Sequence, residues 1–175
     1  AGHVRVYEYT GGTWTKLGAD IDGEAAGDKS GISVALSADG TRVAIGAQFH
    51  DVGFDQNFGH VRVFEYVGAS WSQLGLDIEG EAEFDESGIS VSLSDDGNIV
   101  AIGAHFNDDG ATHAIGNSGH VRVFEYASSS WNKLGNDIDG ESASEFSGYS
   151  VDLSSNGTLL VVGSYGYQHD SSGQT

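Results

Sequence analysis

One phrase is written three times in this chain: GHVRVYEY over residues 2–9, GHVRVFEY over 59–66 and GHVRVFEY over 119–126. Each copy is followed at a constant interval by a tryptophan (Trp14, Trp71, Trp131), an acidic DI[DE]GE stretch, an SG[IY]SV run and a short run rich in Val and Ile. A period near 60 residues with several short apolar runs per unit points to stacked or radial β structure. In such structures one unit cannot bury its own apolar faces and must use a neighbour's. The copies span 2–58, 59–118 and 119–175 without a linker, so the 175 residues read as one segment of repeated units.

Glycines fix the frame of the repeat. Gly2 to Gly31, Gly59 to Gly88 and Gly119 to Gly148 are each 29 residues apart, whereas Gly2 to Gly59 is 57 and Gly59 to Gly119 is 60. The length change falls between the VAIGA run and the next GHVRV, which marks 48–58 and 105–118 as loops, where insertions are tolerated. Four strands fit the first unit, over 3–9, 14–21, 32–37 and 42–47, with tight turns at Thr10-Gly11-Gly12-Thr13 and Ala38-Asp39-Gly40. No stretch has helical period. Alternation puts Ile32, Val34 and Leu36 on one face of a strand and Ser33, Ala35 and Ser37 on the other. A bulky face opposed to a small one is what converging sheets need, since the bulk of one must enter the next.

Charge and composition narrow the partners. Seven Lys plus Arg against 26 Asp plus Glu give a formal charge of −19, a field that repels phosphate backbones and anionic membranes and attracts cations. No apolar run approaches the ~18 residues that a membrane helix needs. Neither nucleic acid nor membrane insertion is expected. Cysteine is absent, which removes disulfides, thiolate metal sites and Cys nucleophiles. No GxSxG, HExxH, P-loop or dinucleotide fingerprint occurs.

The run SGISVALSADGTRVAIGA at 30–47, with GHVRV downstream of the first two copies, resembles the FG-GAP repeat of the propeller at the N-terminus of integrin α subunits and of many bacterial and algal surface proteins. The resemblance covers nearly the whole chain. It departs from the family pattern in Ser-Gly at 30–31, 87–88 and 147–148, and in Gln48, His105 and Tyr165 where proline is usual. The calcium loop of the integrin type is reduced to Ala38-Asp39-Gly40, Asp95-Asp96-Gly97 and Ser155-Asn156-Gly157, too few oxygen ligands for calcium at that turn. What the resemblance implies is an all-β fold of β-propeller blades, each of four antiparallel strands, with the SGISV strand innermost and the Trp strand outermost. The three sequence repeats then make two complete blades, 31–78 and 88–138, plus two complementary half-blades, 3–21 and 149–164.

This frame leads to an expected function: an extracellular or cell-surface module for adhesion, recognition or surface assembly, without catalysis. The expected ligand is a protein or glycan on the long-loop face. Alternatives are an accessory propeller of a larger secreted enzyme and a structural fibre subunit. Because the chain begins and ends within a repeat, a homo-oligomer or a longer covalent array is expected to complete the half-blades.

Candidate metal ligands lie in the loops joining the fourth strand of one blade to the first of the next. Each carries an acidic ladder: Asp20, Asp22 and Glu24; Asp77, Glu79 and Glu81; Asp137, Asp139 and Glu141. Alternate carboxylates around a glycine suit a hard cation, so calcium is the expected ion. Asp51 to Asp55 and Asn107-Asp108-Asp109-Gly110 are further oxygen donors. Hairpin register places Tyr9 opposite Trp14, and His3, His60 and His120 opposite Asp20, Asp77 and Asp137. Such His-Asp pairs read first as structural contacts that raise the histidine pKa, with metal binding or general-base work as the alternatives. His50, His105, His113 and His169 fall in loops without metal-ligand spacing.

Overall fold

In the computed structural model, residues 1–53, 56–108 and 116–166 are described. Sixteen short strands and no helix form among them. The first repeat contributes β1 (His3–Val4), β2 (Tyr7–Thr10), β3 (Thr13–Lys16) and β4 (Ile21–Asp22). Blade I follows as β5 (Ser33–Leu36), β6 (Arg42–Ala47), β7 (His60–Val67), β8 (Ser70–Gln73) and β9 (Ile78–Glu79), and blade II as β10 (Ser90–Leu93), β11 (Ile99–Ala104), β12 (His120–Ala127), β13 (Ser130–Lys133) and β14 (Ile138–Asp139). The chain then adds β15 (Ser150–Leu153) and β16 (Leu160–Gly163). Each blade is antiparallel in chain order, and its last short strand returns to pair with the third. The half-blades at the two ends do not pair with each other, so the described residues form an open set.

The outer hairpin departs from simple register at one place. Tyr9 lies opposite Trp14 and Tyr7 opposite Lys16, as the turn spacing requires. Beyond Lys16 the chain leaves the ladder for four residues and returns at Ile21, two positions later than an unbroken hairpin would give. His3 is therefore paired with Asp22, His60 with Glu79 and His120 with Asp139, not with Asp20, Asp77 and Asp137. Gly18, Gly75 and Gly135 sit in this excursion at φ of 75°, 78° and 81°, a left-handed conformation that side chains disfavour.

The core lies between blades. Val91, Leu93, Val100, Ile102 and Phe124 of blade II pack on Ala44, Val61, Val63 and Ile78 of blade I, and Ile21 of the first repeat meets Val43, Ile45 and Phe64. The close approach is set at Gly46 and Gly103. A Cβ there would lie 2.0 Å from the Gly88 carbonyl oxygen and 1.9 Å from that of Gly148, so no other residue fits without moving a blade. Ser33 and Ser90 donate their hydroxyls to the same two carbonyls at 2.7 Å.

Among the described residues no inner strand covers the bulky face of blade I at its N-terminal side, and Ile32, Val34 and Leu36 are exposed. The tryptophans report the same asymmetry. Trp71 packs over Gly18 and donates Nε1 to the Leu17 carbonyl at 2.8 Å, and Trp131 does the same to Leu74. Trp14, in the first copy, is 69% exposed.

Candidate functional site

The turns between first and second strands satisfy their polar groups internally. Asp39 Oδ1 accepts from the Thr41 amide and from the Ser37 and Thr41 hydroxyls, and Asp96 and Asn156 act alike. These contacts hold the Asp39 carboxyl well below its usual range. Chemistry is better sought on the opposite side, where the long loops converge at the junctions between blades.

At the first junction, the acidic loop of one repeat reaches into the next. Glu24 Oε1 lies 3.3 Å from Arg62 Nη1, and Arg62 Nη2 donates to the Asp22 carbonyl at 2.8 Å. Beside this pair stands His60, 1% exposed, with its Nδ1 3.7 Å from Asp77 Oδ2 and without a hydrogen-bond partner. His50, from the loop after β6, stacks on His60 with ring centroids 3.9 Å apart. Asp28, 2% exposed, holds His50 Nδ1 at 3.2 Å and caps the Ala25 amide at 3.2 Å. One atom each from Glu24, His50 and His60 falls within 4.8 Å of the others, and so does one each from His60, Asp77 and Glu79. The expected rise in the His60 pKa is overturned: burial, followed by the neighbouring His50, pulls it down to about 4, against the weaker opposing pull of Asp77.

At the second junction, Glu81, His120 and Asp137 gather in the same way. Arg122 Nη1 is 3.3 Å from Glu81, and Arg122 Nη2 donates to the Glu79 carbonyl at 2.6 Å. Here Lys133 enters the cluster, 2.5 Å from Asp137 and 3.8 Å from Glu81. Burial lowers His120 to about 4 as well. The residue aligned with His50 is Asn107, which donates to Asp85 at 3.0 Å.

Five of the nine ladder carboxylates expected to bind metal thus fall into two histidine-centred groups: Glu24, Asp77 and Glu79 around His60, with Glu81 and Asp137 around His120. Asp20 is held elsewhere, at 2.8 Å from Arg5 and 2.6 Å from Lys16. Asp22, Asp139 and Glu141 join no such cluster among the described residues. His50 was missed by spacing alone. The signal lay in the alignment, where His50 and Asn107 occupy one position opposite Asp28 and Asp85. His105 is 5% exposed and stacks on Phe106 at 3.9 Å, an aromatic packing role. Asp55, Asp109, Gly110, His113 and His169 lie outside the described residues.

Between Asp77 and blade II runs an open groove of about 350 Å³, with Asp77, Glu79 and Arg122 on its walls and Leu76, Phe124 and Trp131 supplying apolar surface. Partial desolvation raises the Glu79 carboxyl above the ordinary glutamate range.

No family model matches the chain, and no curated protein does. Among solved structures, the chain is similar to a Bacteroides fragilis protein assigned as a 6-phosphogluconolactonase, with 12% identity and a TM-score of 0.54. The match covers 92% of this chain and 36% of that one, so the chain spans about a third of the length of the structure it resembles. At this identity the likeness carries the β-propeller-type fold. It also corrects the expectation of a non-catalytic adhesion or surface-assembly module: a fold like this one is found in a protein assigned as an enzyme, so neither blade architecture nor the absence of familiar sequence motifs excludes catalysis.

Proposed function

We propose that this chain supplies blades of an FG-GAP-like β-propeller enzyme, with a hydrolytic site in the groove between blades I and II. The order of SGISV, VAIGA and GHVRV strands supports the repeat assignment, and an extracellular setting belongs to the reading through that resemblance alone. The observation that carries the catalytic reading is the pairing of Asp77 and Glu79 at the groove, with oxygens within 4.8 Å of a common histidine, and Arg122 on the same wall. Two carboxyl groups in unequal surroundings can divide acid and base roles. Glu79, raised by desolvation, is the proton donor, and Asp77 is the base.

The substrate class follows from charge and surface. A chain of net −19 with two carboxylates at the groove disfavours phosphorylated substrates and favours an uncharged polar one, with Trp131 and Phe124 as apolar surface for a sugar-like ring. The name carried by the Bacteroides protein makes a lactone the first compound to try. In that reaction water adds to the lactone carbonyl while Asp77 takes its proton. The ring C–O bond then breaks as Glu79 gives its proton to the departing oxygen, leaving a hydroxy acid.

The test is turnover of a panel of unphosphorylated sugar lactones and aryl esters, followed by pH-stat. General acid–base catalysis contributes about 10²–10⁴-fold, so Glu79→Gln and Asp77→Asn should each lower kcat at least about 100-fold. No turnover by the parent chain, or unchanged kcat in both variants, would refute the reading.

A further inference from the structure

We propose that the first junction is a binding site for one divalent transition-metal ion of the zinc type, with His50, His60 and Glu24 as ligands. The inference does not depend on the hydrolytic reading, because it is tested by binding alone.

Three observations converge on it. The three side chains offer one atom each within 4.8 Å of one another, a spread that an ion bound at about 2.0–2.2 Å from nitrogen and oxygen can draw together. His50 is already oriented as a ligand. Asp28, almost wholly buried, accepts from its Nδ1 and so leaves the Nε2 lone pair free, the carboxylate–histidine arrangement that commonly backs a metal ligand. His60 is the second pointer. It is 1% exposed, its Nδ1 has no hydrogen-bond partner, and the nearest carboxylate, at 3.7 Å, is beyond hydrogen-bond range. A buried ring nitrogen without a hydrogen-bond partner, beside carboxylates of which only Glu24 is met by an arginine, is a group that a cation can satisfy.

The repeats provide an internal control. In the first copy Lys16 sits 2.6 Å from Asp20, and in the third Lys133 sits 2.5 Å from Asp137. The aligned residue of the second copy is Gln73, which is neutral and donates to Asp77 Oδ1 at 2.5 Å. Among the described residues, the cluster that lacks a built-in ammonium is also the one that gains a second imidazole, His50 in place of Asn107. Loss of the resident cation and gain of a nitrogen ligand both favour an exchangeable metal. Two imidazoles select borderline ions such as Zn²⁺ or Co²⁺ over Ca²⁺, which prefers oxygen, so the ion differs from the calcium that the acidic ladder alone suggests.

The experiment uses untagged, chelator-stripped protein titrated with Zn²⁺ by calorimetry and with Co²⁺ by visible absorption. One equivalent per chain is expected, with cobalt ligand-field bands and no competition from Ca²⁺ at tenfold excess. His50→Gln should abolish the bands, and Asp28→Asn should weaken binding about 10–100-fold. Gln73→Lys copies the sister repeats on an exposed position and so keeps the fold. It should weaken binding at least tenfold, while His120→Gln leaves it unchanged. Absence of stoichiometric binding by the parent chain overturns the proposal, as does binding unaffected by both His50→Gln and Gln73→Lys.

Discussion

The His60 and His120 clusters occupy the same place in consecutive blades, yet they differ in what answers their carboxylates. Around His120 a lysine from the outer strand does so; around His60 that lysine is Gln73, and a loop histidine takes part instead. The strands that hold the two centres are nearly identical in sequence, pairing and burial. The lesson is that the repeat fixes a buried imidazole beside acidic loops, and two positions at its margin decide which groups face the carboxylates.

Acid should have the largest effect on both centres. An unfolded histidine titrates near 6.5, whereas His60 and His120 do so at about 4 in the fold. Between these values the unfolded chain binds more protons, so stability is full above pH 6.5, falls as pH drops towards 4 and levels below it. At about 1.4 kcal/mol per pKa unit the two histidines together account for a loss on the order of 7 kcal/mol. Urea denaturation across that window measures it, and NMR titration of the two rings tests whether they are alike. A His60 titrating above 6.5 while His120 stays low would break the comparison.

Next come the glycines at the convergent strands, where the interior can be compared with the open end. Gly103→Ala drives a Cβ into the Gly148 carbonyl and should cost about 3 kcal/mol. At the aligned Gly163 the Cβ would meet only Ser150 of its own hairpin, and the cost should be about 1 kcal/mol. Equal costs in denaturation would mean that another chain covers β16 in solution.

The tryptophans sharpen the same contrast. Trp71→Ala removes a ring seated on the preceding repeat and should destabilise by about 2–3 kcal/mol, below the full range for a completely buried aromatic. Trp14→Ala, largely exposed, should stay within about 0.5 kcal/mol. A small effect is also expected from Lys133→Gln, which makes the second cluster resemble the first. Its lysine is partly exposed, so the change should cost under about 1 kcal/mol in urea melts.

Much of the fold was legible because it is carried by spacing. The glycine frame located both blades, alternation identified the bulky and small faces that meet between them, and the tight turn fixed Tyr66 opposite Trp71. The site was less legible for two physical reasons. The excursion around Gly18, Gly75 and Gly135 shifts the ladder by two residues, so His60 pairs with Glu79 while Asp77 reaches its ring from outside the ladder. The depth of burial, which reverses the sign of the histidine shifts, depends on the adjoining blade and has no trace in the local sequence. The expectation of a non-catalytic module was corrected by the likeness to a protein assigned as an enzyme, and spacing along one repeat could not have grouped the side chains of the groove. Asp77, Glu79 and Arg122 belong to two different repeats and converge only in the groove.

The hydrogen bond from each tryptophan to the repeat before it gives the array a direction. Its donor and its acceptor carbonyl are both encoded within a single unit of about 60 residues, but they join only across a boundary. A tandem duplication of the unit therefore brings its own joint with it: the new copy arrives with a hook for its predecessor and an eyelet for its successor. Lengthening by whole units needs no compensating change, whereas a break inside a unit would part a hook from its eyelet.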